Sequence, residues 1–184
     1  MKEILIIVDM NNGFTREGVF KNPYQEALIP GINAKAREFH KAGEKDVILV
    51  NEAHSLTSCE FATFPKHCVE GSSEADIVDE LKWLEEEHYT LRKNATMAFF
   101  APEALEFLKC LDEAERVYIV GGVTDICVLE MAIPLKKYFD QNDRAVEVIV
   151  DKNLVDTYDA PWHNRDEYNK IAFKLMKQAG VSVV

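Results

Sequence analysis

The sequence is poor in cysteine, in basic charge and in long apolar runs. Its four cysteines, Cys59, Cys68, Cys110 and Cys127, include no C-x-x-C pair, which argues against a redox dithiol and a zinc ribbon. Lys and Arg total 21 against 32 Asp and Glu, a net charge of −11. That balance disfavours nucleic acid and anionic membranes as partners, because both need a basic face. The longest apolar run near the start, Ile4–Val8, is too short for a signal peptide or a spanning helix. A cytoplasmic protein with reduced thiols is expected. No repeat, linker or low-complexity segment interrupts the chain, so residues 1–184 read as a single domain.

What is present is a regular alternation of element types. Strand-like segments occur at Glu3–Asp9, Asp46–Glu52, His88–Lys93, Arg116–Gly121, Ala145–Val150 and Val181–Val184. Helical patterns occupy Gly31–Ala42, Glu74–Glu86, Pro102–Leu111 and Asn164–Ala179. A further helix should follow Val123, kinked or shortened by Pro134. Strands alternating with helices predict an α/β fold, a three-layer doubly wound sheet of about six mainly parallel strands with helices on both faces. The long irregular stretch Asn51–Ser73 is the segment expected to carry function.

In such a sheet, ligands bind beyond the carboxyl ends of the strands. Asp9 ends the first strand, Glu52 the second and Lys93 the third, while the fourth runs into Cys127. His54 lies just past Glu52. Any one of these has an ordinary explanation as a cap, a surface lysine, a loop histidine or a buried thiol. Their convergence on one rim favours function. Cys127 sits near a strand-to-helix turn, where the helix N-terminus favours thiolate.

Three segments carry a resemblance to a known family. "VDMNNGF" supplies Asp9, "KNATMAFF" supplies Lys93 and "GGVTDICV" supplies Cys127, and the chain resembles the isochorismatase-like cysteine hydrolases, the nicotinamidases among them. "FPKHCVEGS" is similar to the histidine segment of metal-binding nicotinamidases. The resemblance implies Asp9 as acid/base, Lys93 as the triad lysine and Cys127 as nucleophile. It also implies an oxyanion site around Val123, Thr124 and Cys127, a cis peptide before Thr124, and a homo-oligomer. A divalent metal, zinc, iron or manganese, would assist substrate binding at Glu52, His54, Glu60 and His67. Phe14, Phe64, Thr96 and Phe99 are the candidate walls for a small amide.

Two departures from the family pattern stand out. Glu52 occupies the position of a usual aspartate, and Thr96 that of a frequent aromatic residue. The expected activity is hydrolysis of nicotinamide to nicotinate and ammonia through a cysteine thioester. The alternative is a metal-free amidase or carbamoyl hydrolase on the same scaffold. A silent binding protein, an isochorismate-type ether hydrolase and a zinc finger on His54, Cys59, His67 and Cys68 fit the residues less well.

Overall fold

A computed structural model describes residues 2–42 and 45–184. Six parallel strands form one sheet in the order β3-β2-β1-β4-β5-β6. They are β1 (Glu3–Val8), β2 (Lys45–Glu52), β3 (Tyr89–Lys93), β4 (Arg116–Gly122), β5 (Glu147–Asp156) and β6 (Ser182–Val183). The chain winds outward in both directions from β1 and β4, so the order reverses between them and the crevice opens at their carboxyl ends.

Side-chain alternation along β1 explains the two cores. Ile4, Ile6 and Val8 face one cluster, and Leu5 and Ile7 face the other. All five are fully buried, each contributing roughly 1.5–3 kcal/mol. The first cluster packs against α4 (Ala104–Cys110), α5 (Leu129–Gln141) and α6 (Arg165–Gln178) through Phe107, Leu135, Phe139 and Met176. The second packs against α3 (Ile29–Lys41) through Ile32, Ala36 and Phe39. Two short helices, α1 (Asn12–Thr15) and α2 (Pro23–Glu26), lie in the β1–α3 connection. No helix among the described residues is long and apolar enough to cross a membrane.

Three expectations need correction. The helix expected over Glu74–Glu86 is two 3₁₀ segments, Ser73–Ala75 and Asp79–Leu84. Ile77, Leu81 and Leu84 are buried as the spacing requires, but the backbone at Asp76–Val78 is recruited elsewhere. Asn12 N–H donates to Asp76 O at 2.9 Å and Val78 N–H to Met10 O at 3.0 Å, so a tertiary pairing overrides the helical period. Pro134 does not shorten its helix, which runs through it to Gln141. β5 runs beyond Val150 to Asp156, past a register shift opposite Ile119–Gly121. The polar residues "DKN" within it hide the extension from an apolar-run reading.

Gly121 is required where β4 passes β1. Its φ is +112°, and a Cβ there would lie 2.0 Å from Val8 O. Close backbone approach and a positive φ both select glycine.

Candidate active site

The site is built from consecutive strand ends. Asp9 follows β1 with a φ of 49°, a left-handed conformation that aspartate tolerates better than most residues. Glu52 closes β2, Lys93 closes β3, and β4 leads into a π-helical turn at Thr124–Val128 that carries Cys127. Val128 N–H donates to Val123 O at 3.1 Å, the wide closure that defines the turn. The peptide bond between Gly122 and Val123 is cis, one residue earlier than the expected position before Thr124.

Lys93 Nζ lies 2.9 Å from Asp9 Oδ2, 2.7 Å from Glu52 Oε1 and 3.8 Å from Cys127 Sγ. All four side chains are buried, with Lys93 only 2% exposed. Burial and the charges packed together there both act on the protonation states. It raises the Asp9 carboxyl to about 6, with the Glu52 charge adding to the rise and Lys93 opposing it. Burial would also raise Glu52, but the Lys93 ammonium and hydrogen bonds from His54, His67 and Lys93 outweigh it and hold Glu52 well below the usual range. Desolvation would lower Lys93, but the carboxylates of Asp9 and Glu52 overcome it and hold Lys93 well above its ordinary value. The Cys127 thiol is pushed up, by burial first and by Asp9 and Glu52, with Lys93 opposing. This corrects the expectation of a thiolate favoured by the helix terminus and Lys93. In the unliganded site the proton stays on sulfur.

Next to this cluster is a second one. His54 Nε2 and His67 Nε2 each lie 3.0 Å from Glu52 Oε2 and 3.2 Å from one another. The opposite ring nitrogens are committed elsewhere. His54 Nδ1 lies 3.1 Å from Asn94 O, and His67 Nδ1 lies 2.7 Å from Pro65 O. A carbonyl only accepts, so each Nδ1 carries a proton, and each Nε2 is the nitrogen turned inward, donating to Glu52 when protonated and offering a lone pair to a cation when not. Two such lone pairs and a carboxylate oxygen converge in a buried space, a donor set suited to a divalent cation with its outer shell already in place. Glu60 Oε2 lies 3.7 Å from His54 Nε2, buried and without a hydrogen-bond partner. Its other oxygen accepts from Thr96 N–H at 2.9 Å. The residues thus fit a metal, with Glu60 at the margin of the set.

The long loop does supply these groups, as its irregularity suggested. His54 N–H donates to Cys68 O at 2.8 Å and Glu70 N–H to His54 O at 2.9 Å, pinning both ends of the loop beside β2. Cys68 itself is buried, and its Sγ donates to Glu74 O at 3.5 Å.

A cavity of about 410 Å³ opens onto both clusters. Phe14, Phe64 and Thr96 line it along with Glu52, His67 and Cys127. Phe99 does not line it. Its ring packs 5.9 Å from that of Phe107 in the core beneath α4. Val123 lines the cavity, while Thr124 is fully buried behind it. Phe20, Asn22, Ile126, Tyr158 and Trp162 also line the cavity and had not been singled out in the sequence. "REGVFKN" and "DTYDAPW" lie outside the recognisable motifs, and only their aromatic content could have marked them.

The family model for the isochorismatase domain matches residues 3–184. The chain belongs to the isochorismatase family. Among family relatives, nicotinamidase 1 of Arabidopsis thaliana is 28% identical over 175 residues, covering 86% of this chain and 71% of that protein. The zinc complex of Pyrococcus horikoshii pyrazinamidase matches with a TM-score of 0.79 and 25% identity, covering 100% of this chain and 99% of the other. N-carbamoylsarcosine amidase from Thermoplasma acidophilum shares the fold, with a TM-score of 0.80 at 22% identity over 100% and 95% of the two chains. This isochorismatase-family hydrolase therefore has a nicotinamidase relative and shares its fold with a carbamoylsarcosine amidase.

Proposed function

We propose that the protein hydrolyses nicotinamide to nicotinate and ammonia through a Cys127 thioester. The observation that carries the reading is that Asp9, Lys93 and Cys127 meet in one buried cluster, from which Cys127 reaches an aromatic-walled cavity. Reactive atoms of Asp9, Glu52 and Cys127 lie within 4.8 Å of one another. Phe14, Phe20 and Phe64 suit a flat ring.

The thiol is protonated at rest, so attack requires proton loss as the S–C bond forms. Asp9, raised to about 6, is a base of useful strength near neutral pH. It takes the thiol proton and passes it to the departing nitrogen as the C–N bond breaks. Water then adds to the thioester, Asp9 accepts its proton, the S–C bond breaks, and the thiol is restored. Lys93 holds Asp9 ionised and lowers the cost of negative charge on sulfur. Backbone N–H groups of the turn from Val123 to Cys127 are the candidates for the oxyanion. Glu52, His54 and His67, with Glu60 as a further candidate, would hold the divalent metal, which when bound supplies a Lewis acid beside the cavity.

A second reading is supported by Glu52, whose Oε1 is engaged by Lys93 rather than turned to the histidines. On that reading the enzyme is a metal-free amidase or carbamoyl hydrolase. Ammonia release from nicotinamide by pure protein, with Cys127→Ala beside it, tests the proposal. Release lost in the variant supports it. No release with zinc, iron or manganese supplied moves the assignment to another small amide. Release that persists unchanged after chelation, at full rate, selects the metal-free version.

A further inference from the structure

Gln25 is a polar residue in the interior, 1% exposed on the short helix α2. Its side-chain nitrogen Nε2 donates to the backbone carbonyl of Asp9 at 2.7 Å. A carbonyl only accepts, so nitrogen is the end of the amide that faces Asp9. The remaining contacts of the amide are weaker. Nε2 lies 4.0 Å from Met10 Sδ, and Oε1 is buried without a hydrogen-bond partner among the described residues. The amide also rests on Gly122. A Cβ there would lie 2.4 Å from Gln25 Cδ and 2.6 Å from both Oε1 and Nε2. The backbone of Gly122 is not left-handed, so what the glycine supplies is space for the amide.

Asp9 needs such a hold. The pairing of β1 with β4 ends at Val8 and Gly121, so the Asp9 carbonyl lies beyond that ladder. On the other side, Asp9 N–H donates to Val50 O at 2.8 Å. With N–H tied to β2 and C=O tied to Gln25, the backbone at φ 49° is held at both ends, and the direction of its side chain follows. A general base works only within hydrogen-bond reach of the proton it takes, and the reactive atoms of Asp9 and Cys127 lie within 4.8 Å.

We propose that Gln25 is a positioning residue: seated against Gly122, its amide holds the backbone of Asp9 so that the carboxyl stays aligned with Cys127 while the proton passes between them. The inference rests on the amidase reading and adds to it a residue outside the reacting groups.

Gln25→Met keeps the length of the side chain and removes the donor. Its kcat and KM are measured by ammonia release from nicotinamide, and thermal melting confirms that it is folded. Alkylation of Cys127 by iodoacetamide, followed by peptide mass spectrometry, is the second readout. There the S–C bond forms, iodide leaves and Asp9 takes the thiol proton, so the same base is read without the substrate. Gln25→Met should lower kcat about tenfold or more, leave KM within about twofold and slow alkylation about tenfold. A lower melting temperature with both rates unchanged would mean a purely structural role and overturn the proposal. Gly122→Ala is the second route, because its methyl displaces the amide without altering Gln25. It should reproduce both losses, and should add less than about a twofold loss in a Gln25→Ala protein, where the space is already free. Losses that multiply would overturn the seating on Gly122. Slowed alkylation in Gln25→Met, in a protein that releases no ammonia from nicotinamide even with Gln25 intact, would overturn the nicotinamide assignment and support the role of Gln25.

Discussion

Lys93 Nζ and Glu52 Oε1 are 2.7 Å apart, while Glu52 Oε2 lies 3.0 Å from each of two histidine nitrogens. One carboxylate therefore joins the catalytic cluster to the candidate metal cluster. Glu52→Gln keeps the shape but removes the charge and turns an acceptor into a donor. Zinc affinity, measured by calorimetric titration, should fall about tenfold or more. Unchanged affinity would place any metal elsewhere.

Lys93 is the cation held between two buried carboxylates. Lys93→Met should destabilise the fold by roughly 3–5 kcal/mol, the usual cost of leaving buried charge unpaired. The pH dependence has a definite sign. With Lys93 present, Glu52 is depressed, so its contribution is present above its unfolded value and is lost as pH falls through the folded one. Without Lys93, burial raises both carboxyls, and the folded state gains stability as they protonate. The gap between wild type and variant in urea unfolding should narrow from pH 8 to pH 5. A constant gap would mean that Lys93 acts through packing alone.

In the proposed mechanism Asp9 sets the acid limb of activity. Its carboxyl is raised from 3.8 to about 6, chiefly by burial, and only the ionised form can accept the thiol proton. kcat/KM for nicotinamide should fall with decreasing pH through about 6, approaching a tenfold loss per pH unit below it. Asp9→Asn should abolish turnover at every pH, because no pH restores the base. An acid limb near 4 would assign the proton transfer to a different group.

The parallel sheet and the gathering of Asp9, Glu52, Lys93 and Cys127 at its rim were legible in the sequence because each rests on a local signal, whereas the strand order was not. Ile4–Val8 is a continuous apolar run that ends at Asp9, while Glu52 and Lys93 close the strand-like segments "DVILVNE" and "HYTLRK". Tertiary decisions were not legible. Nothing in "SSEADIVDELKWL" shows that Met10 and Asn12 will claim the backbone at Asp76–Val78, since the apolar spacing of Ile77, Leu81 and Leu84 is served equally by the 3₁₀ segments. Phe99 and Phe20 show the same limit for the site. Each is an aromatic residue between the longer regular elements, yet Phe99 turns to Phe107 in the core while Phe20 turns to the ring of His67, 4.7 Å away. The thiol state of Cys127 was misjudged because sequence reveals the nearby Lys93 and helix terminus but not the depth of burial that outweighs them.

His163 had no assigned role in the sequence, and the structure gives it one within the chain. Its ring lies between Tyr158 and Tyr168, with centroids 3.8 and 3.7 Å away. Nδ1 faces Tyr158 O at 3.0 Å, and Nε2 faces Asp125 Oδ2 at 2.8 Å. Asp125 belongs to the turn that carries Cys127, and it also accepts from Thr157 Oγ1 at 2.5 Å. These contacts fasten the segment holding Tyr158 and Trp162 to the nucleophile turn, and both of those residues line the cavity. His163→Phe keeps a flat ring between the tyrosines but leaves Asp125 and Tyr158 O without their partner. It should cost roughly 1–3 kcal/mol in urea unfolding. Because the loss loosens the cavity wall rather than the reacting groups, KM for nicotinamide should rise several-fold while kcat stays within about threefold. A fall in kcat at unchanged KM would instead mean that the Asp125 contact orients Cys127 itself.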